Sequence, residues 1–269
     1  MSPIITDESH TLVHLKKITP AEKPLTVLSQ GYITIENMAE RVVKTRETHG
    51  ELLQKYHEVW YECGHSWVYT HFLGVGMMKS PNDLWAYHDI MMQHRPQTVI
   101  ECGTYQGGSA LWFAFLMDML QITDGQVLTI DIEDNRQCDH PRISFLAGDS
   151  TDPDLAAAVI SEIRGPLLVV LDSDHAEAHV RKELELYAPA CKVGDWLVVE
   201  DTNIGWTDTK IQIGEEIQSI GGDRGARGGL EDYLNAHPGE FRQDILSERW
   251  LLTMHPGGWL QRVSNGRSE

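Results

Sequence analysis

Apolar residues in the middle of the chain fall into short continuous runs that are separated by amphipathic stretches. The runs predict five strands, and the stretches between them predict helices. The predicted strands cover 98–102, 126–132, 142–149, 167–172 and 196–201. Apolar residues at consecutive positions indicate strands that are covered on both faces, as in a parallel sheet. The pattern therefore predicts an α/β fold, a doubly wound and mostly parallel sheet.

Both ends of the chain depart from this pattern. RQDIL (242–246), RWLLTM (249–254) and GWLQRV (258–263) lie too close together for crossover helices, and they predict antiparallel strands in a C-terminal hairpin. Residues 1 to about 35 are polar, and residues 36–63 are charged and favour a helix. We therefore expect an N-terminal arm and helical segment over 1–66 and a single larger domain over 67–269.

The composition of the 269-residue chain limits the kinds of molecule that we expect it to bind. Its formal net charge of −18 argues against binding nucleic acid, which requires an excess of Lys and Arg. A small molecule or a divalent cation suits this charge better. No apolar run approaches the roughly 20 residues that a membrane span needs, so no membrane partner is expected. The N-terminus lacks the pattern of a signal peptide, and we expect a cytoplasmic protein.

Each predicted strand carries an acidic residue at or next to its carboxyl end. In an open parallel sheet, ligands bind beyond the carboxyl ends of the strands, so these acids are expected to share one site. They are Glu101, Asp131, Asp149, Asp172 and the pair Glu200 and Asp201.

The loop after the first strand favours one class of cofactor. Its glycines have the spacing Gly103-x-x-x-Gly107-Gly108, not the G-x-G-x-x-G of a dinucleotide site. Glu101 would repel a pyrophosphate but could receive an ammonium group, and Asp131 is placed to bind ribose hydroxyls. S-adenosylmethionine has both groups and no phosphate. The alternative is that the glycines only form a tight turn between strand and helix.

A second group of residues predicts a metal and a base. The fourth and fifth strands should be neighbours, which brings Asp172 close to Glu200 and Asp201. Carboxylates that converge in this way suit Mg²⁺, although a solvated acidic cluster is the alternative. His175 follows Asp172 by three residues and is a candidate general base; otherwise it packs at the start of a helix. Asp174 is interpreted as a helix cap rather than a metal contact.

Several long motifs resemble the cephalosporin hydroxylase and rhamnosyl O-methyltransferase family, and more distantly macrocin-type sugar O-methyltransferases. The motifs are IECGTYQGGSALWFA, GQVLTIDI, LDSDHAEAHVRKELELYAP and GDWLVVEDTN, and the resemblance extends from about Trp67 to Val263. It implies a Rossmann-like class I methyltransferase fold in the 67–269 domain. It also implies bound S-adenosylmethionine, Mg²⁺ held by Asp172, Glu200 and Asp201, and His175 as the base. The expected cofactor contacts are Glu101, Gly103, Tyr105, Gly107, Ser109, Asp131, Asp149 and Asp172.

The expected reaction is Mg²⁺-assisted methyl transfer to a hydroxyl of a sugar or a glycosylated natural product, by an enzyme that forms a homo-oligomer. Two other functions stay open at this point. The chain could be a component of an oxidative hydroxylase system, or a non-catalytic subunit that binds S-adenosylmethionine. The glycine-rich segment 203–229 is expected to form a lid over the acceptor.

Overall fold

The computed structural model of the chain describes residues 35–63, 65–204, 210–213, 216–219 and 224–265. The strands are β1 (His71–Phe72), β2 (Val75–Gly76), β3 (Thr98–Cys102), β4 (Gln126–Asp131), β5 (Ile143–Ala147), β6 (Leu167–Leu171), β7 (Trp196–Val199), β8 (Lys210–Ile213), β9 (Glu216–Ser219), β10 (Phe241–Gln243) and β11 (Trp259–Arg262). The helices are α1 (Ile35–Glu62), α2 (Pro81–His94), α3 (Gly108–Met119), α4 (Pro153–Ser161), α5 (Glu177–Tyr187) and α6 (Gly225–Ala236).

A seven-stranded sheet forms the centre of this part of the chain, with strand order β10-β11-β7-β6-β3-β4-β5. The five predicted central strands pair in parallel. β11 pairs antiparallel with both β7 and β10. The predicted parallel sheet and the antiparallel C-terminal pair are both confirmed, and β6 and β7 are neighbours as expected.

The strands appear in the sequence as apolar runs because helices cover the sheet on both faces. Ile100 packs in a core with α4, α5 and α6, whereas its neighbour Val99 packs in a second core with α2 and α3. Successive side chains of a strand point to opposite faces, so an uninterrupted apolar run fills both cores. The doubly wound arrangement follows from this division.

Residues 249–254 do not form the strand that their apolar pattern predicted. They form turns, and Leu251 has the left-handed φ of +65°. The backbone N–H of Met254 donates to Asp83 Oδ2 at 2.9 Å instead of to a neighbouring strand. The segment therefore packs across the start of α2 and does not extend the sheet.

α2 begins after Ser80, with Pro81 in its first turn. The predicted lid falls partly on residues 205–209, 214–215 and 220–223, which lie outside the described residues; its described parts contain β8, β9 and the start of α6. No described helix has the length and apolar character needed to cross a membrane.

Candidate active site

The carboxyl ends of the parallel strands line a cavity of about 840 Å³. Eight of the predicted site residues contribute to its lining: Gly103, Tyr105, Ser109, Asp131, Asp149, Asp172, His175 and Asp201. Glu101 and Glu200 are buried behind this surface, and Gly107 lies at the N-terminus of α3. The acidic residues at the strand ends therefore lie in, or directly behind, the lining of one cavity.

Gly103 allows the first loop to pass directly over the end of β6. Its φ is +98°, and a Cβ at this position would overlap the carbonyl oxygen of Asp172. Backbone bonds tie the end of β3 to both neighbouring strands: Gly103 N–H donates to Ile130 of β4 at 2.8 Å, and Asp172 N–H, just after β6, donates to Cys102 at 2.8 Å. The loop then reaches α3, whose N-cap Gly107 has φ +88°. A glycine is required at position 103 by both conformation and space.

Glu101 is a buried carboxylate at the end of β3. Its Oε2 accepts a hydrogen bond from Thr129 Oγ1 at 2.7 Å, whereas its buried Oε1 has no hydrogen-bond partner among the described residues. Burial raises the pKa of Glu101 to about 7, although the nearby Lys79 ammonium lowers it. An unpaired buried carboxylate oxygen next to a ligand cavity fits a cationic group of the ligand.

Asp131 holds the loop that follows β3, and Asp149 holds the loop on which it stands. Asp131 Oδ2 accepts the backbone N–H groups of Thr104 at 3.0 Å and Tyr105 at 2.9 Å. Asp149 Oδ1 accepts both the N–H and the hydroxyl of Thr151, and the hydroxyl bond in particular lowers the pKa of Asp149. Asp131 therefore faces the cavity and also shapes the loop after β3 (residues 103–107), which we call the donor loop. Its position at the end of a strand did not predict this second role.

Asp172, His175 and Asp201 form the densest group of possible metal ligands among the described residues. One ligand atom from each lies within 4.8 Å of the other two, and His175 Nε2 is 3.1 Å from Asp201 Oδ2. Asp201 has φ +52°, and its Oδ1 has no hydrogen-bond partner in the described part of the chain. Burial, with a contribution from the carboxylates of Asp172 and Glu200, raises the pKa of Asp201 to about 7, although the neighbouring His175 lowers it. Burial, followed by Glu200, also raises the pKa of Asp172.

Glu200 occupies a different position from the one that its place beside Asp201 suggested. Both of its carboxylate oxygens lie 2.7 Å from Lys79 Nζ, and Tyr87 donates its hydroxyl to Oε1 at 2.6 Å. Lys79 Nζ also donates to Asp172 Oδ2 at 2.7 Å. Burial alone would lower the pKa of Lys79, but Asp172 and Glu200 outweigh it and the pKa is raised. In the structure, Glu200 is thus paired with protein donors and stays outside the group formed by the other three residues.

One part of the cavity lining is aromatic and apolar, and we call it the aromatic wall. It contains Tyr61, Trp67, Met77, Met78 and Ile204. The Tyr61 and Trp67 rings lie 5.0 Å apart at 31°, and Trp67 Nε1 donates to the Tyr61 carbonyl at 3.3 Å. Tyr61 belongs to α1, so the segment that we assigned to an N-terminal arm and helix also contributes to the cavity; the boundary at residue 66 itself stays a prediction.

The sequence contained signals for some of the residues that we missed. Asp83 and Tyr87 stand four positions apart in KSPNDLWAY, a spacing that places both on one face of α2, and Lys79 lies just ahead of the helix. Lys79 and Tyr87 contact Glu200, whereas Asp83 contacts His255, which lies beside Glu200. The prediction that Asp174 caps α5 is wrong, because the N-cap is Ala176 and no described side chain bonds the first turn. Asp174 Oδ1 instead accepts the N–H of Ala176 at 2.9 Å and holds the turn ahead of the helix.

The residues present fit both expected small partners. The unpaired Glu101 Oε1 suits the ammonium group of S-adenosylmethionine, and the unpaired Asp201 Oδ1 beside Asp172 suits a divalent cation with oxygen ligands. A doubly wound sheet with this loop and these strand ends defines a class I S-adenosylmethionine-dependent methyltransferase.

Comparisons with known proteins agree with this class. A family model described as "Rhamnosyl O-methyltransferase/CmcI" matches residues 65–263. The chain is 34% identical to rhamnosyl O-methyltransferase of Mycobacterium tuberculosis (strain H37Rv) over 220 residues, which cover 78% of this chain and 84% of that protein. The chain therefore belongs to the Rhamnosyl O-methyltransferase/CmcI family.

Solved structures of CmcI share the fold. An apo-structure matches with a TM-score of 0.58 and 26% identity, covering 73% of this chain and 77% of the other. A structure described as Mg-SAM matches with a TM-score of 0.56 and 25% identity, covering 73% and 78%. The predicted family and fold class are confirmed.

Proposed function

We propose that this O-methyltransferase, which uses S-adenosylmethionine and Mg²⁺, methylates a hydroxyl group of a sugar or of a glycosylated small molecule. The observation that carries the proposal is that Asp172, His175 and Asp201 converge in the same cavity as the donor loop at Gly103. A methyl donor, a cation and a base can therefore meet one acceptor oxygen. The aromatic wall supplies the surface on which the acceptor would lie.

The donor side of the cavity would hold the cofactor through charge and backbone shape. Glu101 would receive the ammonium group on its unpaired Oε1, and Asp131 would bind ribose hydroxyls while it holds the amides of Thr104 and Tyr105. The close approach of Gly103 to Asp172 sets the distance between donor loop and metal ligand. Positioning of this kind accounts for much of the rate in a transfer reaction.

Asp172 and Asp201 would hold the Mg²⁺ ion, with Glu200 at their side. The bound ion would act as a Lewis acid that lowers the pKa of the acceptor hydroxyl. His175 Nε2 faces Asp201 Oδ2 at 3.1 Å, so Asp201 would accept the Nε2–H and orient the imidazole. The proton of the acceptor would then pass to His175 Nδ1, the ring nitrogen that Asp201 does not hold.

The aromatic wall supports a sugar as the acceptor. A pyranose ring has one face of C–H groups that packs on aromatic rings, while its neighbouring hydroxyls are good oxygen ligands. Trp67 and Tyr61 offer the first kind of contact, and the acidic residues of the same cavity offer the second. The names of the curated relatives point to a rhamnosyl group. A cytoplasmic location and a homo-oligomer stay predictions.

The proposal is tested by methyl transfer to a panel of rhamnosides, other glycosides and their aglycones. We expect turnover with a glycoside, loss of turnover in EDTA and recovery with added Mg²⁺. Turnover on the aglycones alone would contradict the sugar acceptor, and full activity in EDTA would contradict the metal. Parallel reactions with iron and a 2-oxoacid test the alternative of an oxidative hydroxylase. The site offers one imidazole and two carboxylates, and this set suits iron less well than a site with two histidines would.

His175 is tested separately as base and as ligand. We expect His175→Ala to lower kcat by about 10²- to 10⁴-fold, the contribution typical of a general base, and to leave the calorimetric affinity for Mg²⁺ within about threefold. A loss of Mg²⁺ affinity equal to the loss of turnover would identify the imidazole as a metal ligand instead. His88→Ala, which changes a partly exposed histidine on α2, is the matched control.

A further inference from the structure

Lys79 is an ammonium group enclosed at the base of the active site. Its side chain is 1% exposed, and its Nζ contacts Asp172 Oδ2 and both oxygens of Glu200 at 2.7 Å. The residue precedes α2, and Pro81 in the first turn of that helix fixes the direction in which the segment enters. A lysine is rarely buried this deeply unless its charge is paired. Lys79 is therefore placed to act on the acidic strand ends and on nothing in solvent.

The pairing of the three carboxylates is uneven. Glu200 is bound by Lys79 and by the Tyr87 hydroxyl, and His255 Nε2 lies 3.5 Å from its Oε2. Asp201 has an oxygen without a partner among the described residues. Asp172 shares one oxygen with the ammonium group. A cation that binds Asp172 and Asp201 would therefore compete with Lys79 for Asp172, whereas Glu200 would keep its ammonium partner.

The charges at this edge fit the same arrangement. Asp172, Glu200 and Asp201 carry three negative charges when ionised, and Lys79 neutralises one of them. Two negative charges remain among these three carboxylates, which one divalent cation balances. Glu101, which also acts on Lys79, is left out of this sum because its charge would be balanced by the ammonium group of the cofactor. Because buried charges are costly when they are unbalanced, the ammonium group sets how much positive charge the site accepts.

We propose that Lys79 is a built-in counter-ion that sets the affinity and charge preference of the metal site. It holds Asp172 and Glu200 together when the cation is absent, and it limits the site to a divalent ion when the cation binds. The proposal rests on the Mg²⁺ site of the proposed function. Lys79 is a positioning residue in this role, because it acts through the two carboxylates.

The test is the affinity for the ion alone, measured by calorimetry with Mg²⁺. Lys79→Met removes the charge and keeps an apolar chain of similar length. We expect it to bind Mg²⁺ about tenfold or more tightly than the wild type, because a unit charge close to the site no longer repels the ion. Its melting temperature should fall in EDTA and approach that of the wild type in saturating Mg²⁺. Tyr87→Phe, which removes an uncharged hydrogen-bond donor to Glu200 and leaves the charge of the site unchanged, is the control and should change the affinity by less than about threefold.

A trivalent ion tests the charge preference directly. Terbium luminescence excited through the nearby aromatic side chains reports Tb³⁺ binding without any turnover. We expect Lys79→Met to gain more affinity for Tb³⁺ than for Mg²⁺, since three negative charges are then uncompensated. Equal gains for the two ions, or unchanged or weaker Mg²⁺ binding in folded Lys79→Met, would overturn the proposal.

A second variant keeps the test decisive if Lys79→Met folds poorly. Lys79→Met combined with Glu200→Gln removes a buried pair together, which is far less destabilising than removing one partner. Its site again carries two negative charges, so we expect a Mg²⁺ affinity within about threefold of the wild type, whereas Glu200→Gln alone should bind about tenfold or more weakly. A double variant that binds as weakly as Glu200→Gln would overturn the proposal. Wild-type protein that fails to bind Mg²⁺ would instead count against the proposed function.

Discussion

Replacing Glu101 with glutamine should make the ligand-free protein more stable and its cofactor site weaker. Burial raises the pKa of Glu101 from the ordinary value of 4.5 to about 7. In the window between these values the folded chain holds a proton that the unfolded chain has lost, so the free energy of unfolding falls as the pH rises from 4.5 to 7. The shift corresponds to roughly 3 kcal/mol. Glutamine has the same size and does not ionise, so it avoids this cost above pH 7.

Thermal unfolding at pH 8 and pH 5 measures the effect. We expect Glu101→Gln to raise the free energy of unfolding by about 1–3 kcal/mol at pH 8, or about 2–4 °C in melting temperature for each kcal/mol. The difference should shrink at pH 5, where the buried carboxyl is protonated. Calorimetry should show an affinity for S-adenosylmethionine that is lower by about 10- to 100-fold, because a charged hydrogen bond is lost.

The control for this experiment is Glu185→Gln, which changes an exposed carboxylate on α5 and should alter neither quantity. A lower melting temperature of Glu101→Gln at pH 8 would refute the reasoning about burial. Unchanged cofactor affinity would refute the assignment of Glu101 as the partner of the ammonium group.

Three further substitutions test the loop, the donor site and the wall. Gly103→Ala should destabilise the protein by more than Gly194→Ala in thermal unfolding, because both glycines have φ near +98° but only the first meets a carbonyl, that of Asp172; equal losses would show that the backbone angle alone matters. Asp131→Asn should weaken S-adenosylmethionine binding by about tenfold in calorimetry, since it loosens the loop amides; unchanged binding would remove that role. Trp67→Ala should raise the KM for a glycoside by about tenfold and leave the cofactor affinity within about threefold; the opposite pattern would place the wall on the donor side.

The sequence predicted the sheet well because its strands are buried on both faces. Leu168 and Val169 of β6 enter different cores, so neither position favours a polar residue, and β6 appears as the uninterrupted apolar run LLVVL. The same reasoning located the acids at the strand ends. It failed for RWLLTM, where Trp250 is exposed and Met254 packs with Tyr61 and Trp67. The Met254 N–H donates to Asp83 instead of to a neighbouring strand.

The side chains that surround the acidic residues could not be predicted from the pattern of the strands. Lys79 and Glu200 are 121 positions apart, and a lysine in a loop is expected in solvent unless the fold is known. Tyr61 reaches the cavity from α1, a helix whose sequence resembles an ordinary charged surface helix. Both contacts depend on how separate elements pack, which the local pattern does not encode.

The close approach of the Gly103 and Asp172 backbones divides the cavity into two parts. The geometry of one part must be kept, whereas the side chains of the other can change. The donor loop and the metal ligand are fixed to each other through β3 and β6, whereas Tyr61 and Trp67 belong to α1 and the segment that follows it. Substitutions in the wall can therefore reshape the acceptor surface without changing the spacing of the reacting groups. Directed evolution toward new glycosides should begin at residues 61–78 and leave residues 101–109 and 172–175 intact.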